Sequence, residues 1–344
     1  MARSYVVTGG AGFIGSNLVH AILDSEPESK VTVLDCLTYA GNRENLASRE
    51  GDPRFSFVEG DICDRPRVSE VLERASPDVV FHLAAESHVD RSIDGPSVFV
   101  RTNVEGTASM LEATRAWWTK SAREGFRFVH VSTDEVFGSL GPTGKFEPST
   151  PYAPRSPYAA SKAAADHLAR AWHHTFGLPT IVTNCSNNYG PRQYPEKLLP
   201  LMILNASEGR PLPVYGDGGN VRDWLHVDDH CAGLRLVGDC GVPGETYLFG
   251  GHGERTNLEL VHAVCDILDR RHPNRPHREL ITFVADRPGH DRRYAIDASA
   301  TERALGWHPR IRLEDGLEKT VEWYWENRAW REQIAYRRER LGLG

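Results

Sequence analysis

A short apolar strand that runs into three spaced glycines, and from them into a helix, leaves a chain few folds to choose from. Here Ser4 to Thr8 reads as that strand, and Gly9, Gly12 and Gly15 give G-x-x-G-x-x-G. An apolar-periodic helix follows from about Phe13 to Leu23. The three glycines do different things. One makes the tight turn, one lets backbone amides approach a pyrophosphate, and one lets the helix pack on the strand. The helix N-terminus then turns its partial positive charge toward the phosphates. Val31 to Asp35 reads as the second strand and ends in an acid twenty residues after Gly15. A carboxylate there accepts hydrogen bonds from adenosine ribose hydroxyls and repels a 2′-phosphate, so NAD is favoured over NADP. The bland alternative for Asp35 is a strand-end cap.

Further strands follow. Phe55 to Glu59 is the third, with Asp61-Ile62 after it. That pair can hold an adenine ring, or it can precede the helix that opens at Asp64-Arg65-Pro66. Asp78 to Leu83 is the fourth, and small residues after it, Ala84 and Ala85, let a cofactor lie against the backbone. Ser87 and His88 are candidate sugar contacts. A long helix is expected over Ser97 to about Glu124, carrying Thr102. The fifth strand, Phe126 to Val131, breaks into Ser132-Thr133-Asp134-Glu135-Val136-Phe137-Gly138. Two adjacent carboxylates therefore stand past a strand's carboxyl end, the edge where open α/β sheets bind ligands. Leu140 to Pro157 is rich in turn residues and reads as a loop over the site. A helix from about Ser156 to Phe176 puts Tyr158 and Lys162 on one face. An ammonium beside a phenol stabilises the phenolate and lowers its pKa.

Leu178 to Cys185 is the sixth strand, and the pattern then becomes less regular. Helices are expected over Pro195 to Gly209, Asn257 to Arg271 and Leu313 to about Arg340, and a strand over Glu245 to Gly250. Trp323, Trp325 and Trp330 on the tail are packing residues. Asp286 to Arg293 is a loop dense in cations, suited to gripping a diphosphate or simply solvated. The fold class is α/β: a Rossmann-type doubly wound parallel sheet with a smaller, mixed C-terminal substrate-binding lobe. Residues 1–185, with about 225–250, form the dinucleotide domain; 186–224 and 251–344 form the lobe.

Composition narrows the partners. A net charge of −7 argues against nucleic acid or a membrane surface. No apolar run is long enough to span a bilayer, and the chain enters its first strand too early for a signal peptide, so a cytoplasmic protein is expected. Six scattered cysteines, without a CxxC pair, read as isolated buried thiols rather than a disulfide frame or a zinc site.

With these motifs placed, the chain resembles the extended short-chain dehydrogenase/reductase family. Within it the chain is similar to the branch of nucleotide-sugar 4,6-dehydratases that act on dTDP-glucose. The motifs are Thr8 to Gly15, Leu83 to Arg91, Ser132 to Gly138, Tyr158 to Lys162, Cys185 to Gly190, Pro195 to Lys197, Arg222 to Trp224 and Asp286 to His290. Thr-Asp-Glu at the strand end is the most specific, because simple epimerases of the family usually carry small hydroxyl residues there.

The resemblance implies that Tyr158, assisted by Lys162, takes the O4 proton as hydride leaves C4. Glu135 then removes the C5 proton, Asp134 protonates the departing C6 hydroxyl, and Thr133 orients O4. It implies that Gly9, Gly12, Phe13, Ile14, Gly15, Asp35, Thr38, Asp61, Ile62, Leu83, Ala84, Ala85, Thr102, Tyr158, Lys162 and Asn188 lie beside NAD. Ser87, Thr133, Asn187, Lys197, Leu198, Pro213, Tyr215, Arg222, Asn257, Arg287 and His290 would hold the nucleotide sugar. It also implies a homodimer through the helices at about 97–124 and 156–176. The chain departs from the family's common pattern at Arg192 and Asn184. Two alternatives stay open: another nucleotide-sugar dehydratase or epimerase on this fold, which a panel of nucleotide sugars would discriminate, and a non-catalytic NAD-binding protein, which loss of the catalytic groups would favour.

Overall fold

The computed structural model describes residues 2–271 and 276–340; residues 272–275 and 341–344, parts of the expected lobe, lie outside them. The central sheet holds β1 (Ser4–Thr8), β2 (Lys30–Asp35), β3 (Phe55–Glu59), β4 (Val79–His82), β5 (Arg127–Thr133), β6 (Thr180–Cys185) and β11 (Thr246–Phe249). Their order is β11-β6-β5-β4-β1-β2-β3, and every pair is parallel. These strands are apolar on both faces because helices cover both. On one face lie α1 (Phe13–Ser25) and α8 (Val227–Cys240), where Leu18, Ile22, Leu234 and Val237 are fully buried. On the other lie α2 (Arg65–Ala75), α5 (Gly106–Ser121) and α6 (Pro157–Phe176). The strand order reverses between β1 and β4, so their carboxyl ends open the crevice in which such sheets bind ligands.

The chain leaves this sheet after β6, returns for α8 and β11, and otherwise builds a second core. The lobe's strands are short. β7 (Asn187–Tyr189) pairs with β10 (Trp224–His226), β8 (Leu212–Tyr215) with β13 (Ile281–Val284), and β9 (Val221–Arg222) with β12 (Arg255–Thr256). Their main support is packing of α7 (Leu198–Glu208), α9 (Asn257–Arg271) and α11 (Leu313–Glu326) around Met202, Val264, Val321 and Tyr324. Trp330 is buried in this core, and Trp323 and Trp325 pack against it, as their aromatic bulk suggested. α10 (Ser299–Leu305) closes over β11.

Several expected elements take a different form. The helix expected over 97–124 is interrupted: α3 (Val89–Asp94) and α4 (Pro96–Phe99) precede a π-helical segment, Val100–Glu105, before α5 begins. The wide turn is held by Asn103, whose side chain accepts from Glu86 N and donates to Glu86 O and Ser161 Oγ. The tail is two helices, α11 and α12 (Arg328–Arg340), because Asn327 leaves helical geometry and its side chain bonds the Trp323 carbonyl. α7 starts at Leu198, with Lys197 as its N-cap, since a turn from Tyr194 to Lys197 comes first. β5 extends to Thr133, two residues beyond the expected end. All six cysteines are free, but only Cys185, Cys231 and Cys265 are buried. Cys36 follows the last residue of β2 and Cys240 ends α8, both at the surface.

Candidate active site

One cavity of about 430 Å³ opens at the carboxyl ends of β1, β2, β4 and β5. Its floor is main chain. Gly9 has φ +68°, and a Cβ there would stand 2.7 Å from the Ala84 nitrogen. A Cβ on Gly15 would stand 2.3 Å from the Gly9 carbonyl oxygen, and one on Gly12 3.2 Å from it. Gly12 caps α1 without a side-chain hydrogen bond, so the helix presents unblocked backbone donors at that end. Asp35 sits at the edge of this floor, 7% exposed; its Oδ2 accepts from Ala11 N at 2.9 Å and its Oδ1 from Leu37 N at 2.8 Å. The carboxylate is thus a cap for the loop and also lines the cavity. A floor closed to any side chain, a helix N-terminus and a buried acid on the second strand are what NAD requires of a protein, and these residues fit it.

Every residue expected beside NAD lines this one cavity, including Thr38, Asp61, Ile62, Leu83, Ala85, Thr102 and Asn188. Asn188 is fixed on both sides: its Oδ1 meets His230 Nδ1 at 2.9 Å, and its Nδ2 donates to the Ser186 carbonyl.

The five residues expected to do chemistry line the same cavity. Thr133 ends β5, and a single 3₁₀ turn, Asp134–Phe137, follows. The Thr133 hydroxyl accepts from Glu135 N at 3.2 Å and donates to Asp134 Oδ1 at 3.4 Å. Asp134 is 2% exposed, and its Oδ2 has no hydrogen-bond partner among the described residues. From α6, Tyr158 and Lys162 join this lining, and Lys162 Nζ donates to the Val131 carbonyl of β5 at 2.9 Å.

Electrostatics separates the two acids. Burial, and then the charge of Glu135, hold the Asp134 carboxyl well above the usual range. Burial also raises Glu135, but Arg287, Lys197 and Arg222 oppose it. Asp134 is therefore held toward its protonated form more firmly than Glu135. Tyr158 corrects one expectation. Burial and the Glu135 charge hold its phenol well above the ordinary value, with a Thr133 hydrogen bond pulling the other way. Lys162 does not bring the phenol down in this state. It is itself lowered by burial, and its ammonium is turned to a backbone carbonyl.

The residues expected to hold a nucleotide sugar divide. Ser87, Asn187 and Lys197 line the cavity, and Lys197 Nζ donates to the Ser87 carbonyl at 2.7 Å. Tyr215, Arg287 and His290 stand outside its lining, in a group around two acids. The Tyr215 hydroxyl and Arg287 Nη1 each lie 3.3 Å from Asp90, and His290 Nδ1 lies 2.6 Å from Asp286. The Arg222 guanidinium lies 4.2 Å over the Tyr294 ring, bonded to the Asp291 carbonyl. Leu198 packs against the second core, Pro213 pairs with Thr282, and Asn257 opens α9 with its amide on the Asn220 carbonyl. His88 caps α3 by accepting from Arg91 N and is not in the lining. The 140–157 loop lends no side chain to the lining; Phe146 is pinned to Ile296 instead.

Sequence reasoning missed Glu86, Gln193, Tyr194 and Glu196, which line the cavity. Glu196 lies between Pro195 and Lys197, and Glu86 beside Ser87, so adjacency to expected site residues was the available signal. Among the described residues no cluster suited to a metal ion is found, and no helix is long and apolar enough to cross a membrane.

Comparison with known proteins agrees with this geometry. The family profile described as GDP-mannose 4,6 dehydratase matches residues 6–320. A dTDP-glucose 4,6-dehydratase from Neisseria meningitidis serogroup B is 54% identical, covering 99% of each chain. Among solved structures, a dTDP-glucose 4,6-dehydratase from Streptomyces venezuelae with NAD bound superposes with TM-score 0.89 at 49% identity, covering 97% of this chain and 100% of that one. One from Bacillus anthracis, also in complex with NAD, gives TM-score 0.87 at 46% identity, covering 97% and 99%.

Proposed function

Because the chain belongs to the GDP-mannose 4,6-dehydratase family, we infer that it is an NAD-dependent hydro-lyase that converts dTDP-glucose to dTDP-4-keto-6-deoxyglucose and water. The observation that carries this reading is the acid pair at the end of β5, lining one cavity with Tyr158 and Lys162. An oxidation at C4 needs a proton acceptor for O4; an elimination across C5 and C6 needs a base and an acid at neighbouring carbons. Adjacent carboxyls held in different protonation states supply the second requirement.

The residues divide the work as follows. Thr133 donates to O4 and keeps it beside the Tyr158 oxygen. Tyr158 accepts the O4 proton, and the charge of Lys162 stabilises the phenolate. The chemistry NAD supplies when bound is to hold a hydride between its loss from C4 and its return to C6. The 4-ketone acidifies the C5 proton, which Glu135 removes and gives back to C5 when hydride reaches C6. Asp134, which burial keeps protonated, donates to the C6 hydroxyl as it leaves as water. Lys197, Arg222, Arg287 and His290 offer cationic and donor groups for the diphosphate and base, and Ser87 and Asn187 hydrogen bonds for the sugar.

The dinucleotide half works over residues 1–185 and about 225–250, and the lobe over the rest. Exposed apolar side chains on the helices beside the cavity, Ile93, Val100 and Phe176, support a homodimer through that surface. Light scattering would find twice the chain mass, and Val100→Asp would reduce it to one. Six free cysteines suit a reducing compartment, and the cytoplasm is the one we assign.

The test is incubation of the purified protein with dTDP-glucose and no added cofactor, followed by the alkali-induced absorbance of a 4-keto-6-deoxy sugar. Signal is expected, from NAD retained through purification. No signal even with NAD added removes dTDP-glucose as substrate, and a panel of other nucleotide sugars then selects among the related reactions.

A further inference from the structure

Behind the catalytic strand lies a polar knot that the chemistry above does not use. Asp166 follows Lys162 by four residues on α6, so Tyr158, Lys162 and Asp166 share one face. Its carboxylate is fully buried, and both oxygens are engaged. Oδ1 meets His130 Nε2 at 3.0 Å. Oδ2 accepts from the Tyr152 hydroxyl at 2.7 Å and from Asn184 Nδ2 at 3.1 Å. The same Asn184 nitrogen donates to the Thr133 carbonyl at 3.0 Å, and Lys162 Nζ to the Val131 carbonyl at 2.9 Å. The helix carrying the phenol is thereby stitched to the end of the strand carrying the acids.

A buried carboxylate is a poor choice if packing is its whole role, because an apolar group of similar volume usually serves packing as well or better. The charges around Lys162 show what the anion does. Burial pushes the Lys162 ammonium toward neutrality; Asp166, followed by Cys185, opposes that push. Cys185 on β6 is itself raised by burial and stays a thiol. His82 on β4 and His130 on β5 face Lys162 from the sheet, and burial keeps both low, hence neutral. Tyr158, raised by burial, is a neutral phenol. The negative charge beside Lys162 is that of Asp166. Burial alone would raise its carboxyl, but the His130 hydrogen bond and the charge of Lys162 bring it below the usual range.

We propose that Asp166 is a positioning residue of the reaction: it is the counter-ion that keeps Lys162 charged, and through Asn184 it fixes the strand end that presents Thr133, Asp134 and Glu135. The proposal rests on the dehydratase reading, in which Lys162 is an ammonium when the phenol gives up its proton.

The experiment is the pH dependence of kcat and KM for dTDP-glucose in the holoenzyme, wild type against Asp166→Asn and Asn184→Ala. Bound NAD and the thermal midpoint are measured on the same preparations. Loss of the anion weakens proton binding at Lys162, so in Asp166→Asn the alkaline limb of kcat moves toward lower pH by about one unit or more. KM changes by less than about twofold, because Asp166 lies outside the cavity lining. Asn184→Ala keeps the charge and frees the strand end: kcat falls about tenfold across the pH range and the limb stays in place. An unmoved limb in Asp166→Asn, or a loss confined to KM, overturns the proposal. Where Asp166→Asn does not fold or comes without NAD, the remaining variants decide. Asp166→Glu retains the charge and keeps the wild-type limb, and an Asn184→Ala enzyme with undiminished kcat overturns the idea. The two levels fail differently: the functional reading fails if the wild type does not turn over, this proposal if it does and the variants match it.

Discussion

The two walls of the site, the cavity floor and the group beside it toward the lobe, are made of different material. The cofactor wall is backbone: three glycines within fifteen residues, a helix N-terminus, and an acid whose oxygens are already bonded to amides. The wall toward the lobe, just outside the cavity lining, is side chain: Asp90, Tyr215, Arg287 and His290 come from segments some two hundred residues apart and pair among themselves. A backbone wall is pre-organised and loses little on binding. Partly exposed ion pairs such as Arg287–Asp90 are screened by salt and exchange partners at small cost. The difference teaches that the protein is rigid where it keeps a ligand through turnover and exchangeable where it must let one go.

The strongest way to break that comparison is at the glycine floor. Gly15→Val places branched carbons where one Cβ would already meet the Gly9 carbonyl at 2.3 Å. The expected product is a folded protein, by circular dichroism, that releases no NAD on denaturation and has no activity. A variant that retains cofactor like the wild type would show that the floor yields.

Next are the groups between the walls. Tyr158→Phe is expected to lower kcat by about 10³-fold with no reduced nicotinamide on mixing with substrate. Glu135→Gln is expected to form reduced nicotinamide and stall before product. Equal behaviour of the two variants would refute the separation of oxidation from elimination.

A smaller effect belongs to the lobe wall. Arg287→Ala is expected to raise KM for dTDP-glucose about tenfold while kcat and NAD content change little, and to flatten the rise of KM with salt. Loss of NAD from this variant would mean that the walls are not independent.

The smallest effect is on stability. The folded Asp134 carboxyl lies well above its unfolded value, chiefly through burial. Its contribution to stability is complete below the usual carboxylate range and is lost as pH rises through the raised value. Asp134→Asn keeps the neutral form at every pH. It is expected to be inactive, yet to melt about 2–4 °C higher than the wild type at alkaline pH, with the gap closing in acid. Identical melting at both pH values would argue that the carboxyl titrates normally.

The same contrast governs what is legible in the sequence. The β1 to α1 turn can be read because its strand, glycines and helix are consecutive and each obeys a local rule. β5 and the acids after it can be read for the same reason. The lobe cannot, because pairs such as β9 with β12 are two residues long and are held by packing around Trp224 and Tyr324 rather than by periodicity. The π segment at Val100–Glu105 stays hidden because one widened turn barely alters an apolar pattern; its cause is a side-chain clamp by Asn103. α8 escapes notice because its start follows a broken stretch, though His226 caps it and Asp228 and Asp229 fill its first turn. The state of Tyr158 is beyond the pattern too: four-residue spacing says where Lys162 lies along the helix, not that its ammonium turns to Val131.

The edge position of β11 has a consequence for synthesis. β6 ends at Cys185, and the strand that covers it begins at Thr246. At roughly 5–20 residues per second, a ribosome takes about 3–12 s to make the intervening chain. For that time the nascent sheet ends in Thr180–Cys185, an apolar strand with its hydrogen-bonding edge bare. Chaperone demand during expression should therefore concentrate on chains arrested between these two points.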